Sequence, residues 1–171
     1  MIIGTQKTQC ALCGKTHLLQ IVRERKSIQY KNQEVNYWAT FYKCLNSPVD
    51  DNEFIGINQE KSNALNIINE YRKNNNLLTS DKIIEIREHY GLTASELSRI
   101  LGWNSNLIDL YETVLAQERE NDHILMKIKD SPSFLYHRLK RTKNILNQNK
   151  LTQLNLLLLK EIKEKKDYFE D

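Results

Sequence analysis

The hydrophobic pattern of this chain changes period once, and that change limits its possible folds more than any other feature. Between residues 17 and 44, β-branched and aromatic residues alternate with polar ones in Leu18-Leu19-Gln20-Ile21-Val22, Ile28-Gln29-Tyr30 and Val35-Asn36-Tyr37-Trp38-Ala39-Thr40-Phe41-Tyr42. This predicts about three short strands, with Lys31-Asn32-Gln33 as the hairpin turn, because Asn tolerates positive φ and polar residues interrupt both apolar runs. The stretch from Asn46 to Gly56, with Pro48, Asp50 and Asp51, has turn chemistry and closes the module. From Asn58 onward the apolar residues recur at helical spacing. A chain of 171 residues has room for one ordinary domain or two to three small modules, and none for a large barrel.

The helical part is punctuated clearly. Leu65, Ile68 and Tyr71 line one helix that runs into Asn74-Asn75-Asn76. Ile83, Ile86 and Tyr90 line a second, and Gly91 stands where a glycine ends a helix. Thr93-Ala94-Ser95-Glu96 reads as a capping box, followed by the apolar face Leu97, Ile100 and Leu101. Gly102 makes the next turn, and Asn104 or Ser105 is expected to cap a helix carrying Leu107, Ile108, Tyr111 and Val114. Two short helices joined by a glycine turn form the helix-turn-helix pattern. Ser131-Pro132 stops one helix and starts another; Leu135, Leu139, Thr142 and Leu146, then Leu151, Leu154 and Leu158, predict a C-terminal helical hairpin. The expected fold is mainly α with a small N-terminal β module. Its segments are residues 1–57, a helix-turn-helix bundle over 58–130, and the hairpin over 131–171.

Composition narrows the function classes. A hydrophobic share of 40% and a charged share of 27% allow a real core. No apolar run reaches the roughly 18 residues of a membrane span, and Met1-Ile2-Ile3-Gly4-Thr5 has neither the basic nor the long apolar region of a secretory signal. A cytoplasmic protein with no membrane partner is expected. No glycine-rich phosphate loop, HExxH pair or GxSxG elbow is present, and His17, His89, His123 and His137 are scattered, so an enzyme is not expected. Three cysteines cannot all pair; Cys10-Ala11-Leu12-Cys13 in a reducing compartment points to metal or redox chemistry. Basic residues outnumber acidic ones seven to five in residues 1–57 and twelve to nine in 116–171, whereas residues 58–115 carry six basic against eight acidic.

The run Leu92-Thr93-Ala94-Ser95-Glu96-Leu97-Ser98-Arg99-Ile100-Leu101-Gly102-Trp103, continuing to Tyr111-Glu112, resembles the helix-turn-helix of phage-repressor-type regulators. With Tyr71-Arg72-Lys73, Leu77-Leu78-Thr79 and the Cys10/Cys13 module upstream, residues 10–130 resemble the MqsA/YgiT-type antitoxins. The resemblance implies a dimeric autorepressor of a toxin–antitoxin system. Its zinc-finger-like N-terminal module would hold a partner protein such as a cognate toxin, and its helix-turn-helix would bind double-stranded operator DNA at two half-sites one helical turn apart.

The family pattern has two C-x-x-C pairs, whereas the second pair here is Cys44-Leu45-Asn46-Ser47. Structural zinc takes four thiolate or imidazole ligands, so Cys10, Cys13 and Cys44 need a fourth, from His17 or from Asp50 or Asp51. The alternative is a metal-free module with the cysteines as apolar filler. The candidate DNA-contacting residues are Thr93, Ser95, Asn104, Ser105 and Asn106, asparagine being suited to a bidentate contact with adenine. Leu107, Asp109, Leu110 and Ala94 replace residues with which the family usually contacts DNA. The basic cluster Arg138, Lys140, Arg141 and Lys143, with His137, would supply phosphate contacts from an appended helix. The competing reading is a protein-interaction module that keeps the helix-turn-helix fold without sequence-specific DNA binding, which exposure of Leu107, Asp109 and Leu110 would favour.

Overall fold

In the computed structural model, which describes residues 1–46, 52–142 and 145–167, the β-rich part forms one antiparallel sheet. Its strands are β1 (Ile2–Gln9), β2 (Thr16–Tyr30), β3 (Gln33–Lys43) and β4 (Glu53–Phe54), in the order β1-β2-β3-β4. Lys31 and Asn32 both take positive φ, at 47° and 61°, which is the two-residue turn whose twist matches that of the strands it joins. It sets the register that pairs Tyr30 with Gln33, Arg25 with Trp38 and Val22 with Phe41.

Two expectations for this sheet need correction. The first two expected strands are one strand of 15 residues: the polar stretch Arg23–Ser27 reads as a break by hydrophobicity, yet its backbone pairs with β3 throughout. β1 is an addition to the expected set, because Thr5-Gln6-Lys7-Thr8-Gln9 has no apolar alternation. As a strand at the sheet edge, it is held by pairing with β2 and leaves most of its side chains in solvent.

Helix α1 (Ile57–Asn74) packs along β3, where β4 pairs only with Tyr42 and Lys43. The open edge beyond is closed by side-chain amides. Asn63 accepts from the Thr40 N–H (2.8 Å) and donates to the Thr40 carbonyl (2.8 Å), while Asn66 donates to the Trp38 carbonyl (3.0 Å). A buried asparagine thus makes the two hydrogen bonds that a neighbouring strand would make, and the sheet edge is protected. Sheet and helix form the compact unit Met1–Asn74, so α1 lies in the same unit as the sheet.

The second compact unit, Asn75–Asp171, contains α2 (Ser80–His89), α3 (Ala94–Ile100), α4 (Leu107–Thr113), α5 (Arg119–Asp130), α6 (Pro132–Arg141) and α7 (Gln148–Asp167). α2 and α3 end alike. Gly91 (φ 60°) and Gly102 (φ 75°) reverse the chain, with Leu92 N–H reaching back to the Arg87 carbonyl and Trp103 N–H to that of Ser98, so the last carbonyls of each helix are satisfied. The capping box is present in full: Glu96 N–H donates to Thr93 Oγ1 (3.2 Å), and Thr93 N–H donates to Glu96 Oε2 (2.7 Å). One core runs through the unit, built on Ile83, Leu97, Ile100, Ile108, Leu125, Ile128, Leu135 and Leu158. The C-terminal leucines Leu135, Leu139, Leu154 and Leu158 belong to it. Asp122 and Gln117 are buried with a shared hydrogen bond (2.8 Å), and they also tie down the backbone N–H and carbonyl of Leu78. No helix among the described residues is long and apolar enough to cross a membrane.

Candidate functional site

The metal-ligand candidates meet at one end of the sheet. Cys10 directly follows β1, Cys13 lies in the turn between β1 and β2, His17 is the second residue of β2, and Cys44 directly follows β3. Gly14 (φ 70°) tightens the turn, in which the N–H of Cys10 bonds the Lys15 carbonyl and the N–H of Gly14 bonds the Cys10 carbonyl. The same turn aims the Leu12 N–H at Cys10 Sγ (3.4 Å). Cys44 is held by its own N–H on the Asn52 carbonyl (2.8 Å). Leu19 completes the buried cluster with Cys10 and Cys44, and Tyr42 and Phe54 pack against it.

The donor atoms of Cys10, Cys13, His17 and Cys44 all lie within 4.8 Å of one another, and these four residues can hold a metal ion. His17 Nε2 is 3.3 Å from Cys13 Sγ and 3.6 Å from Cys44 Sγ. A tetrahedral ion at about 2.3 Å from sulfur and 2.0 Å from nitrogen requires ligand–ligand edges of about 3.5–3.8 Å. The two His17–cysteine edges lie within about 0.2 Å of the sulfur–nitrogen value, and drawing every donor pair from within 4.8 Å to such edges takes movements of about 1 Å or less. The His17 ring is oriented for ligation: its Nδ1 is 3.0 Å from the Leu18 carbonyl, which can only accept, so Nδ1 donates there and Nε2 is the nitrogen turned toward the thiols.

Electrostatics divide the thiols. Burial raises the Cys10 pKa, but the amide hydrogen bonds of Cys13 and Leu12 and the nearness of His17 and Cys44 outweigh it, pulling the group from 9.0 down to about 6. Burial, together with the Cys10 sulfur beside it, pushes Cys44 up. Each favours charge on Cys10 first, and a cation among the sulfurs removes the conflict. Asp50, Asp51 and Ser47 lie outside the described residues.

The DNA-contacting candidates fall into two groups. Thr93 and Ser95 stand exposed at the start of α3, and Asn104, Ser105 and Asn106 stand exposed in the turn before α4. The residue capping α4 is Asn106, rather than Asn104 or Ser105, and it makes no side-chain cap bond; Asn104 Oδ1 instead accepts from the Asn106 N–H at 3.4 Å. α3 and α4 pack directly, with Ser98 Oγ accepting from the buried Ile108 N–H (3.0 Å) and Trp103 meeting Tyr111 edge-on. Arg87 of α2 grips Glu112 of α4 through Nε (2.6 Å) and Nη2 (3.1 Å). Sequence reasoning singles out neither Ser98 nor Arg87. For Ser98 a signal exists, a lone polar residue on the apolar face of α3. For Arg87 no local pattern does.

Arg138, Lys140 and Arg141 lie on α6, which packs on α5 and α7, and Lys143 lies outside the described residues. α6 carries no acidic residue, and among the described residues none of the three cations has a carboxylate partner. Arg138 lies over Phe134 and Lys140 over Tyr136. Leu107 and Leu110 are half-buried, Leu107 against the core, while Asp109 is exposed. Comparison of the chain with family models, characterised proteins and solved structures finds no match.

Proposed function

We propose that this protein is a zinc-stapled, DNA-binding transcriptional regulator of the antitoxin type, with the second unit contacting operator DNA and the first holding a partner protein. The observation that carries the reading is the α3–α4 pair. A fully capped α3, a glycine turn and a short α4 are locked together by the Ser98–Ile108 hydrogen bond, leaving Asn104, Ser105 and Asn106 in solvent at the start of α4. A helix-turn-helix presents its base-reading side chains from the start of its second helix, and exposed polar residues at the start of α4 support that reading. On this reading Thr93, Ser95 and the cations of α6 contact phosphates, which offsets the acidic character of residues 58–115.

Zinc is the metal that three sulfurs and one imidazole nitrogen favour, since hard cations prefer oxygen. Its role here is to hold the ends of β1, β2 and β3 together, not to catalyse. The regulator acts as a homodimer, because one such helix pair buries too little DNA surface for operator specificity.

The half-burial of Leu107 and Leu110 weakens the competing interaction-module reading, which keeps support from the exposed Asp109 and from Val114, 59% exposed just beyond α4. One comparison separates the two. Asn104→Ala/Asn106→Ala should weaken binding to the DNA upstream of the gene by roughly 1–3 kcal/mol per lost base contact. Unchanged binding by the double variant would remove these residues from the reading head.

A further inference from the structure

The open face of the sheet carries a feature that neither the metal cluster nor the α3–α4 pair uses. Arg23 and Arg25 are two apart on β2, so they share a face, and Trp38 is the register partner of Arg25 on β3. Both guanidiniums lie over the Trp38 ring, at 4.9 Å and 5.8 Å from its centre. Around them Ser27, Gln29 and Asn36 on the same face are exposed. Among the described residues neither arginine has a carboxylate within salt-bridge distance. Glu34, on this face, is engaged by the Ser27 hydroxyl (2.5 Å), and Glu24 faces the other way toward Lys26.

We infer that this Arg23–Trp38–Arg25 face is a docking surface for an acidic protein segment. The inference rests on the reading of the first unit as a partner-binding module, and it names the chemistry of that partner. Two cations that no carboxylate among the described residues neutralises, held on one indole, form a pre-ordered pair of forks matching carboxylates, and ordering them costs little on binding. Tryptophan and arginine are also the residues that most often carry interface energy. Stacking of nucleic-acid bases is the less favoured use, because the guanidiniums already cover the ring that a base would need.

The test uses the zinc-loaded full chain and fluorescence anisotropy. The probes are a labelled peptide rich in Glu and Asp and a labelled single-stranded oligonucleotide of equal charge. Saturable peptide binding is expected, weakened about tenfold or more by Arg23→Gln/Arg25→Gln. Trp38→Leu should also weaken it, although that change removes no charge. Lys7→Gln/Lys61→Gln, which removes the same charge from exposed positions of the same unit, should change it less than about twofold. Zinc content reports that each variant keeps the fold of the first unit. Operator binding by the arginine variant should match that of the parent, so failure here and failure of the regulator reading are told apart. The proposal is overturned by no saturable peptide binding, by equal losses in the arginine and lysine variants, or by tighter binding of the oligonucleotide with the same arginine dependence.

Discussion

Replacing His17 tests the ligand set at its least conventional point. His17→Ala removes the one nitrogen from a cluster whose other donors are the sulfurs of Cys10, Cys13 and Cys44. Structural zinc sites bind with about 10–16 kcal/mol, so an even share among four ligands is roughly 2.5–4 kcal/mol, or about 10²–10³-fold in affinity. The His17 nitrogen, 3.3 Å from Cys13 Sγ and 3.6 Å from Cys44 Sγ, already stands close to the roughly 3.5 Å separation of two ligands sharing one ion, so reorganisation should dilute the effect little. Competition with a colorimetric zinc chelator measures the loss. Cobalt substitution shows the ligand field change as water oxygen replaces the imidazole nitrogen beside the three sulfurs. His17→Cys should restore tight binding, whereas Asp50→Asn/Asp51→Asn should leave both the affinity and the spectrum unchanged. The reasoning is refuted if His17→Ala binds zinc as the parent does while the aspartate variant does not.

The other predictions follow from single contacts. Because all four candidate ligands belong to the first unit, chelation should lower one thermal transition and leave that of the second unit in place. Free zinc at about 1,000 times Kd contributes roughly 4 kcal/mol, or about 15–30 °C for a unit of this size; calorimetry with and without chelator reads it. Ser98→Ala leaves the buried Ile108 N–H without its acceptor and should cost about 1–3 kcal/mol in denaturant titration. For Glu96, burial raises the carboxyl pKa, but the Lys150 ion pair at 2.5 Å and the Thr93 hydrogen bonds outweigh it and hold the group below its ordinary 4.5. That stabilisation is present above the ordinary value and is lost as pH falls through the folded one. Glu96→Gln keeps the cap geometry, so it should be about 0.5–1 kcal/mol less stable at pH 7, with the difference closing in acid.

The helical half is legible in the sequence because its signals are local. Thr93, Glu96, Gly91, Gly102 and Pro132 each act on backbone groups a few residues away, and the structure uses all of them near the expected places. The sheet is less legible because its stability comes from distant pairing. Arg23 to Ser27 and the whole of β1 are polar or largely exposed, and only the register with neighbouring strands makes them β. The apolar stripe of α1 marks it as a helix, yet it meets β3 through Asn63 and Asn66, polar residues that helix periodicity does not count. At the metal cluster, the C-x-x-C spacing and His17 are visible, but the choice of His17 needs the register that sets it beside Cys44 and the Leu18 carbonyl that orients its ring.

The most direct test of the regulator reading is fluorescence-anisotropy binding of the zinc-loaded chain to the DNA immediately upstream of its gene, titrated with salt beside a scrambled duplex. Preference for the upstream fragment is expected, with a log–log salt slope of roughly −0.9 for each phosphate neutralised. That slope should become shallower in Arg138→Gln/Lys140→Gln/Arg141→Gln. Equal affinity for both duplexes, or no binding at low salt, would contradict the regulator reading and assign the α3–α4 pair to a protein partner.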